Sequence, residues 1–238
     1  MTTDQAWITV KATPSAPMTD PHRLSGEALA AWVRNHVSTW PAPIPIGAEE
    51  PRTEPALFVF SSDGPDIRYA LEAHTDGSSV LRLPVGGLRR NPADGETVLA
   101  VGEGAVAWIS VAAVRLASAY AEHLGCRGEL SIEVNLGEGT AMNSYPHEIW
   151  NRGSDGFHPV GTRVRSVRPC GARFSLAECG GASLPLLVRP LLVELLGQFG
   201  LIDSRHIDVD GVVRRGNFTG HDDRILAWVT AIGAASRP

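Results

Sequence analysis

Five prolines crowd the fifteen residues of "PAPIPIGAEEPRTEP" (41–55), and no other stretch restricts the fold so firmly. Proline has no N–H to give and a fixed φ, so such a run neither continues a helix nor pairs inside a sheet. It reads as a linker over 41–56 that divides the chain. Before it lie a polar, aperiodic terminus (1–19), expected to be flexible, and a helix over 20–40. Asp20-Pro21 offers that helix a start, and Leu29, Trp32, Val33, Val37 and Trp40 recur at helical spacing. After it comes a core domain over 57–219, closed by a C-terminal helix over 220–238.

Within the core, "LFVF" (57–60) and "IRYALEA" (67–73) read as strands, the second turning at Asp76-Gly77 into "SSVLRLPV". "TVLAV" (97–101) is a fourth strand. In "AVAWISVAAVRLASAYAEHLG", Ile109, Ala112, Ala113, Leu116, Tyr120 and Leu124 form a helical stripe, and Gly125 suits the left-handed residue that ends a helix. "ELSIEVNL" (129–136) alternates cleanly, with Leu130, Ile132, Val134 and Leu136 facing in. Residues 137–162, rich in Gly, Asn, Ser and Pro, read as a long loop of the functional kind. "RVRSVR" and "ARFSLA" suggest a further hairpin. A Leu-rich helix ending at Gly200 is expected to kink or restart at Pro190, and "RHIDVDGVVRRG" (205–216) reads as a hairpin turning at Asp210-Gly211. The order lacks regular βαβα alternation. The fold class is therefore α+β, a mostly antiparallel sheet with helices packed on one face, plus the N-terminal helix on its Pro-rich linker and a C-terminal amphipathic helix.

One run has a recognisable texture, from "DGSSVLRLPVGGL" through "VLAVGEGAVAWISVAAVRLASAYAEHLGCRGELSIEVNL" to "LLVELLGQFG" and "DVDGVVRR". It resembles the C-terminal accessory region of bacterial DNA-binding proteins of the AlbA-like, Schlafen type, over about residues 57–218. The resemblance is carried by a helix ending in His-Leu-Gly-x-x-Gly before a strand, and by a Leu-rich helix ending in Gln-Phe-Gly before a hairpin. Residues 1–56 show no counterpart of the AlbA-like module. The resemblance therefore implies an accessory domain and transfers neither DNA binding nor any functional residue.

The chemistry-bearing patterns are sparse. "GEGAVAW" (102–108) lacks the Gly-Lys-Ser/Thr of a phosphate-binding loop, and "HEIWN" (147–151) stops short of a second histidine. Cys126 and His123 sit at a helix C-terminus, where exposed carbonyls disfavour a thiolate. His147, His158, Cys170 and Cys179 are zinc-compatible types, but lack the close pairs that pre-organise a zinc site. His206, Asp208 and Asp210 look like a metal or acid/base cluster. A two-residue Asp210-Gly211 turn instead puts His206, Asp208 and Arg215 on one polar face, with Asp208 and Arg215 paired diagonally. No catalytic residue, cofactor or metal is assigned.

Two functional expectations remain. The first is a non-enzymatic accessory or regulatory protein acting through protein–protein contacts, with a protein partner or a second copy. Ile225, Trp228, Val229 and Ile232 of the C-terminal helix would make the contact. The alternative is a nucleic-acid or nucleotide/anion binder using Arg163, Arg165, Arg168 and Arg173 as a basic fork across the 163–173 hairpin. A net charge of −5 does not favour nucleic acid. Lys11 is the sole lysine among 21 basic residues, a skew that reads as codon bias. The opening residues lack a secretory pattern and no membrane span is expected. Residues 184–202, the best candidate, carry Arg189 and Glu194, so a bacterial cytoplasm is the expected location.

Overall fold

A computed structural model describes residues 5–16, 52–54, 57–62, 69–137, 144–153, 156–218 and 222–238, together with Glu27, Ala31, Trp32, Asn35 and His36. The described residues form an α+β fold, with one curled, mostly antiparallel ten-stranded sheet and three helices.

The main path of the sheet runs β10 (Cys170–Ser175), β7 (Arg127–Leu136), β1 (Gln5–Ala16), β5 (Ser79–Arg90), β4 (Tyr69–His74), β3 (Leu57–Ser62) and β2 (Arg52–Glu54). β5 is long enough to serve two partners along one edge. Its first half pairs with β4 through Arg82, and from Gly86 onward it pairs with β6 (Thr97–Gly102). Pro84 stands between the two ladders, where a residue without an N–H is tolerated. The sheet forks at this point. The second branch continues from β6 to β8 (His147–Gly153), its parallel neighbour, and then to β9 (Gly156–Val164).

Helix α1 (Glu103–His123) leaves directly from the end of β6 and packs against β1, β5 and β7. Every residue of the expected stripe is buried, and from Val106 to Ala121 no residue is exposed. Its length and mean hydropathy of 1.4 would suit a membrane span, a role for which 184–202 was the expected candidate. With 78% of that span buried within the fold, α1 is a core helix. Gly125 ends it at φ +81, with Gly125 N–H bonded to Glu122 O and Cys126 N–H to Ala121 O, as its position predicts. Helix α2 (Leu184–Gly197) lies beside α1 and runs through Pro190 without breaking. Pro190 is only the seventh residue of this helix.

Several expectations are corrected. Residues 5–16 of the supposedly flexible terminus form the central strand β1, paired on both sides. Ala6, Ile8, Val10 and Ala12 face the core, and the intervening Trp7 and Thr9 are buried as well. Of the 41–56 linker, Arg52–Glu54 pairs as β2, and the rest lies outside the described residues. Of the 20–40 helix, the five residues named above are described and all are helical. Trp32 stacks between His36 (3.8 Å) and His123 (4.9 Å), so this element rests on the end of α1. The 137–162 loop is mostly the β8–β9 hairpin.

The closing hairpin is also out of register by one residue. Ile207 bridges Val213, and Asp208 N–H bonds Val212 O, which leaves the three-residue turn Val209–Gly211. Gly211 has φ +77, the left-handed geometry such a turn demands. Asp208 therefore caps the turn through the N–H groups of Asp210 and Val212, and pairs with Arg237 (2.8 Å) rather than Arg215. Helix α3 (Asp222–Ala231) follows, and β12 (Ser236–Arg237) lies parallel to β11 (Val213–Arg214).

Candidate functional site

At the fork, where β5 has left β4 and taken up β6, a cavity of about 380 Å³ opens between the sheet and the first turns of α1. The ends of the parallel strands β6 and β8 line it, as do Val85 and Arg89 of β5, Phe157 of β9, and His206, Asn217 and Phe218 of the C-terminal segment. The walls are apolar: Trp108 and Ile109 from α1, Trp150 from β8 and Phe218 are all buried. Trp150 and Arg152 share a face of β8 because successive side chains alternate. Arg152 also lies opposite Phe157 across the β8–β9 ladder. Phe157, 49% exposed, and the exposed Arg89 and Arg152 form the mouth.

Behind the wall lies a buried polar network. Glu103, the first residue of α1, is 1% exposed. It accepts hydrogen bonds from Asn151 Nδ2 (2.5 Å), the Arg205 N–H (2.8 Å), His206 Nδ1 (3.1 Å) and Ser204 Oγ (3.4 Å). Burial pushes its carboxyl pKa up, but the hydrogen bond and attraction of His206, with the bonds from Asn151 and Arg205, outweigh that. The result lies below the ordinary value of 4.5. An acidic residue in the first turn also faces the positive end of the helix dipole. His206 reaches Asn217 O with Nε2 (3.1 Å), and Phe218 meets its ring edge-on at 4.6 Å. Asn217 Nδ2 returns a bond to Arg205 O.

This geometry decides what His206 does. Both ring nitrogens face acceptors, the Glu103 carboxylate and a backbone carbonyl, so neither is turned to the cavity to take a proton from a ligand. Both Glu103 oxygens are likewise engaged. The pair ties the start of α1, strand β8 and residues 204–218 into one rigid wall. A Cβ on Gly104 would sit 2.8 Å from His206 Nε2, which shows how closely the helix approaches the ring.

No protein-family model, curated protein or solved structure matches this chain.

The residues expected to act lie elsewhere. Arg163 closes β9 and is consumed by Glu148 (2.7 Å), Asp94 (3.0 Å) and Glu96. Its hydrogen bond to buried Glu148 is the main reason its pKa is raised. Arg165 and Arg168 are exposed on the connection after β9. Arg173 is exposed on β10, which pairs with β7 and not with β9. The 163–173 hairpin does not form, and the fork it would have carried is taken apart.

On α3, Ile225 and Val229 are buried in the chain's own core, and Trp228 and, just past the helix, Ile232 are half-buried against it. Among the described residues no three His, Cys, Asp or Glu side chains group as metal ligands. His147 lies buried in β8, while Cys170 belongs to β10 and Cys179 to the short turn after it. The sequence reading missed Arg89, Glu103, Trp150, Asn151 and Arg152. "HEIWNR" held a readable signal for Trp150 and Arg152, since a strand over it carries the two on one face.

Proposed function

We propose that this chain is an accessory protein whose working site is the cavity at the fork, and that it binds a small molecule there. The observation that carries the reading is the cavity itself. It has about 380 Å³ of space, aromatic and aliphatic walls, and a few polar groups held still by the Glu103–His206–Asn151 network. Ligand sites commonly have this size and this composition. An accessory role is also what the resemblance to AlbA-like proteins implies. Contact through the C-terminal helix is less well supported, because Ile225 and Val229 are spent on the chain's own core. The anion-binding alternative through 163–173 is weakened in the same way by the carboxylates around Arg163.

The test uses a neutral, environment-sensitive naphthylamine dye, whose fluorescence rises in apolar surroundings. Wild type is expected to enhance it saturably. Ala105→Trp, which places an indole in the cavity from a half-buried position in the first turn of α1, is expected to abolish the saturable part. Equal enhancement by both proteins overturns the reading.

A further inference from the structure

Resting on that reading, we infer that the ligand is a flat, apolar molecule bearing one carboxylate or comparable oxyanion, gripped at the mouth by Arg89 and Arg152.

Arg82, Arg163, Arg189, Arg214 and Arg237 each have a carboxylate within 4 Å. The chain has 26 acidic residues for 21 basic ones, so acids are not scarce. Arg89 and Arg152 have no carboxylate within 4 Å among the described residues, as is also true of the exposed Arg165, Arg168 and Arg173, but these two alone of the arginines line this cavity. Two buried acids adjoin this region, and both are occupied: Glu103 lies behind the wall with both oxygens taken by donors, and Glu148 is held by Arg163, Asn91 and Trp150. Among the described residues, the mouth therefore carries two positive charges with no carboxylate within ion-pair distance.

Arg89 is also posed. Its guanidinium lies 5.8 Å from the Trp150 ring centre and 5.6 Å from that of Phe157. Cation–π contact with both rings holds the planar group at the cavity edge, where its remaining N–H donors can take an oxyanion in fork geometry. A ligand that satisfies the site has its anionic group at this rim. Its flat body then reaches inward past Trp150 toward Trp108, Ile109 and Phe218. Highly charged ligands fit badly, because the inner walls offer nothing to a second charge.

The experiment compares 2-naphthoate with 2-naphthamide, which match in shape and differ in charge, by calorimetric titration of the full chain at low salt. Naphthoate is expected to bind at least about tenfold tighter, with the preference shrinking as salt rises. In Arg89→Met/Arg152→Met the ratio is expected to fall to about twofold or less. Both substitutions are at exposed positions, and near-ultraviolet circular dichroism checks that the fold is kept. Equal binding of acid and amide, with both lost in Ala105→Trp, overturns the anion inference and leaves the cavity reading intact. An acid preference that survives the double substitution overturns the role of these two arginines. Failure of the folded wild type to bind either probe overturns the cavity reading as well.

Discussion

Glu103→Gln is the substitution that weighs most directly on the wall of the cavity. The side chain keeps its size and loses its charge. The Gln amide group then turns a donor toward positions already filled by donors, namely the N–H groups of Asn151, Arg205 and His206. At least one of them loses its acceptor at a site 1% exposed. Hydrogen bonds to a charged group contribute about 1.5–3 kcal/mol each, and removing one member of a buried ion pair costs about 3–5 kcal/mol. The retained Gln oxygen offsets part of this, which places the expected loss near 3 kcal/mol at neutral pH. Against a total stability of roughly 5–15 kcal/mol, that moves the urea midpoint down by about 1 M or more.

The pH dependence carries a second signature. The folded pKa of Glu103 lies below its ordinary value of 4.5. The unfolded chain therefore binds the proton first, and the stabilisation is complete above 4.5 and lost as pH falls through the folded pKa. The gap between wild type and Glu103→Gln should be widest at pH 7 and narrow steadily below pH 4.5. A double-mutant cycle with His206→Gln should return a coupling of about 1–3 kcal/mol. Urea titrations from pH 7 to pH 3.5 check both. A cost under about 1 kcal/mol, unchanged across that range, would refute the network's role.

Other consequences follow from the same packing. Gly104→Ala improves helix propensity by up to about 1 kcal/mol in an ordinary helix. Here it is expected to lower the melting temperature, because the new Cβ meets the His206 ring at 2.8 Å, and a rise would show that the ring gives way freely. Arg163→Ala/Arg165→Ala should lower the melting temperature, since Glu148, 5% exposed, loses its cation, while retention on a phosphate matrix stays unchanged. Lost retention with an unchanged melting temperature would restore the basic-fork reading. Cys170 and Cys179 should resist an aromatic disulfide reagent at pH 8 in the folded protein. Both are buried, and burial pushes their thiol pKa values up, that of Cys179 to about 11. Rapid modification without unfolding would contradict the burial.

Where periodicity alone decides structure, the sequence was legible. β7, α1 and the Gly125 helix end appear as their patterns predict, because the alternation of β7, the long apolar run of α1 and the left-handed glycine are each local signals that do not depend on which partner is met. The terminal strand β1 was misread because its partners β5 and β7 are far along the chain, and isolated propensity says little about so distant a pairing. The 163–173 hairpin failed for the related reason that neighbouring strands need not pair. The turn at Asp208–Val212 shows the finest limit. One residue of register turns a two-residue loop into a three-residue loop, and with it every side-chain partner changes. Most of the cavity escaped the sequence because its residues come from five separate stretches. Only the fork in the sheet brings Arg89, Trp108, Trp150 and His206 to one place.

The most direct measurement of the central claim is a proton–nitrogen correlation spectrum of the six tryptophan indole N–H groups during titration with 2-naphthoate. Trp108 and Trp150, assigned by single Trp→Phe substitutions, are expected to shift progressively and saturate together. Trp32, stacked on His123 at the far end of α1, is expected to stay in place. Saturable shifts confined to other tryptophans, or no shift at all in the folded protein, would contradict the assignment of the cavity as the ligand site.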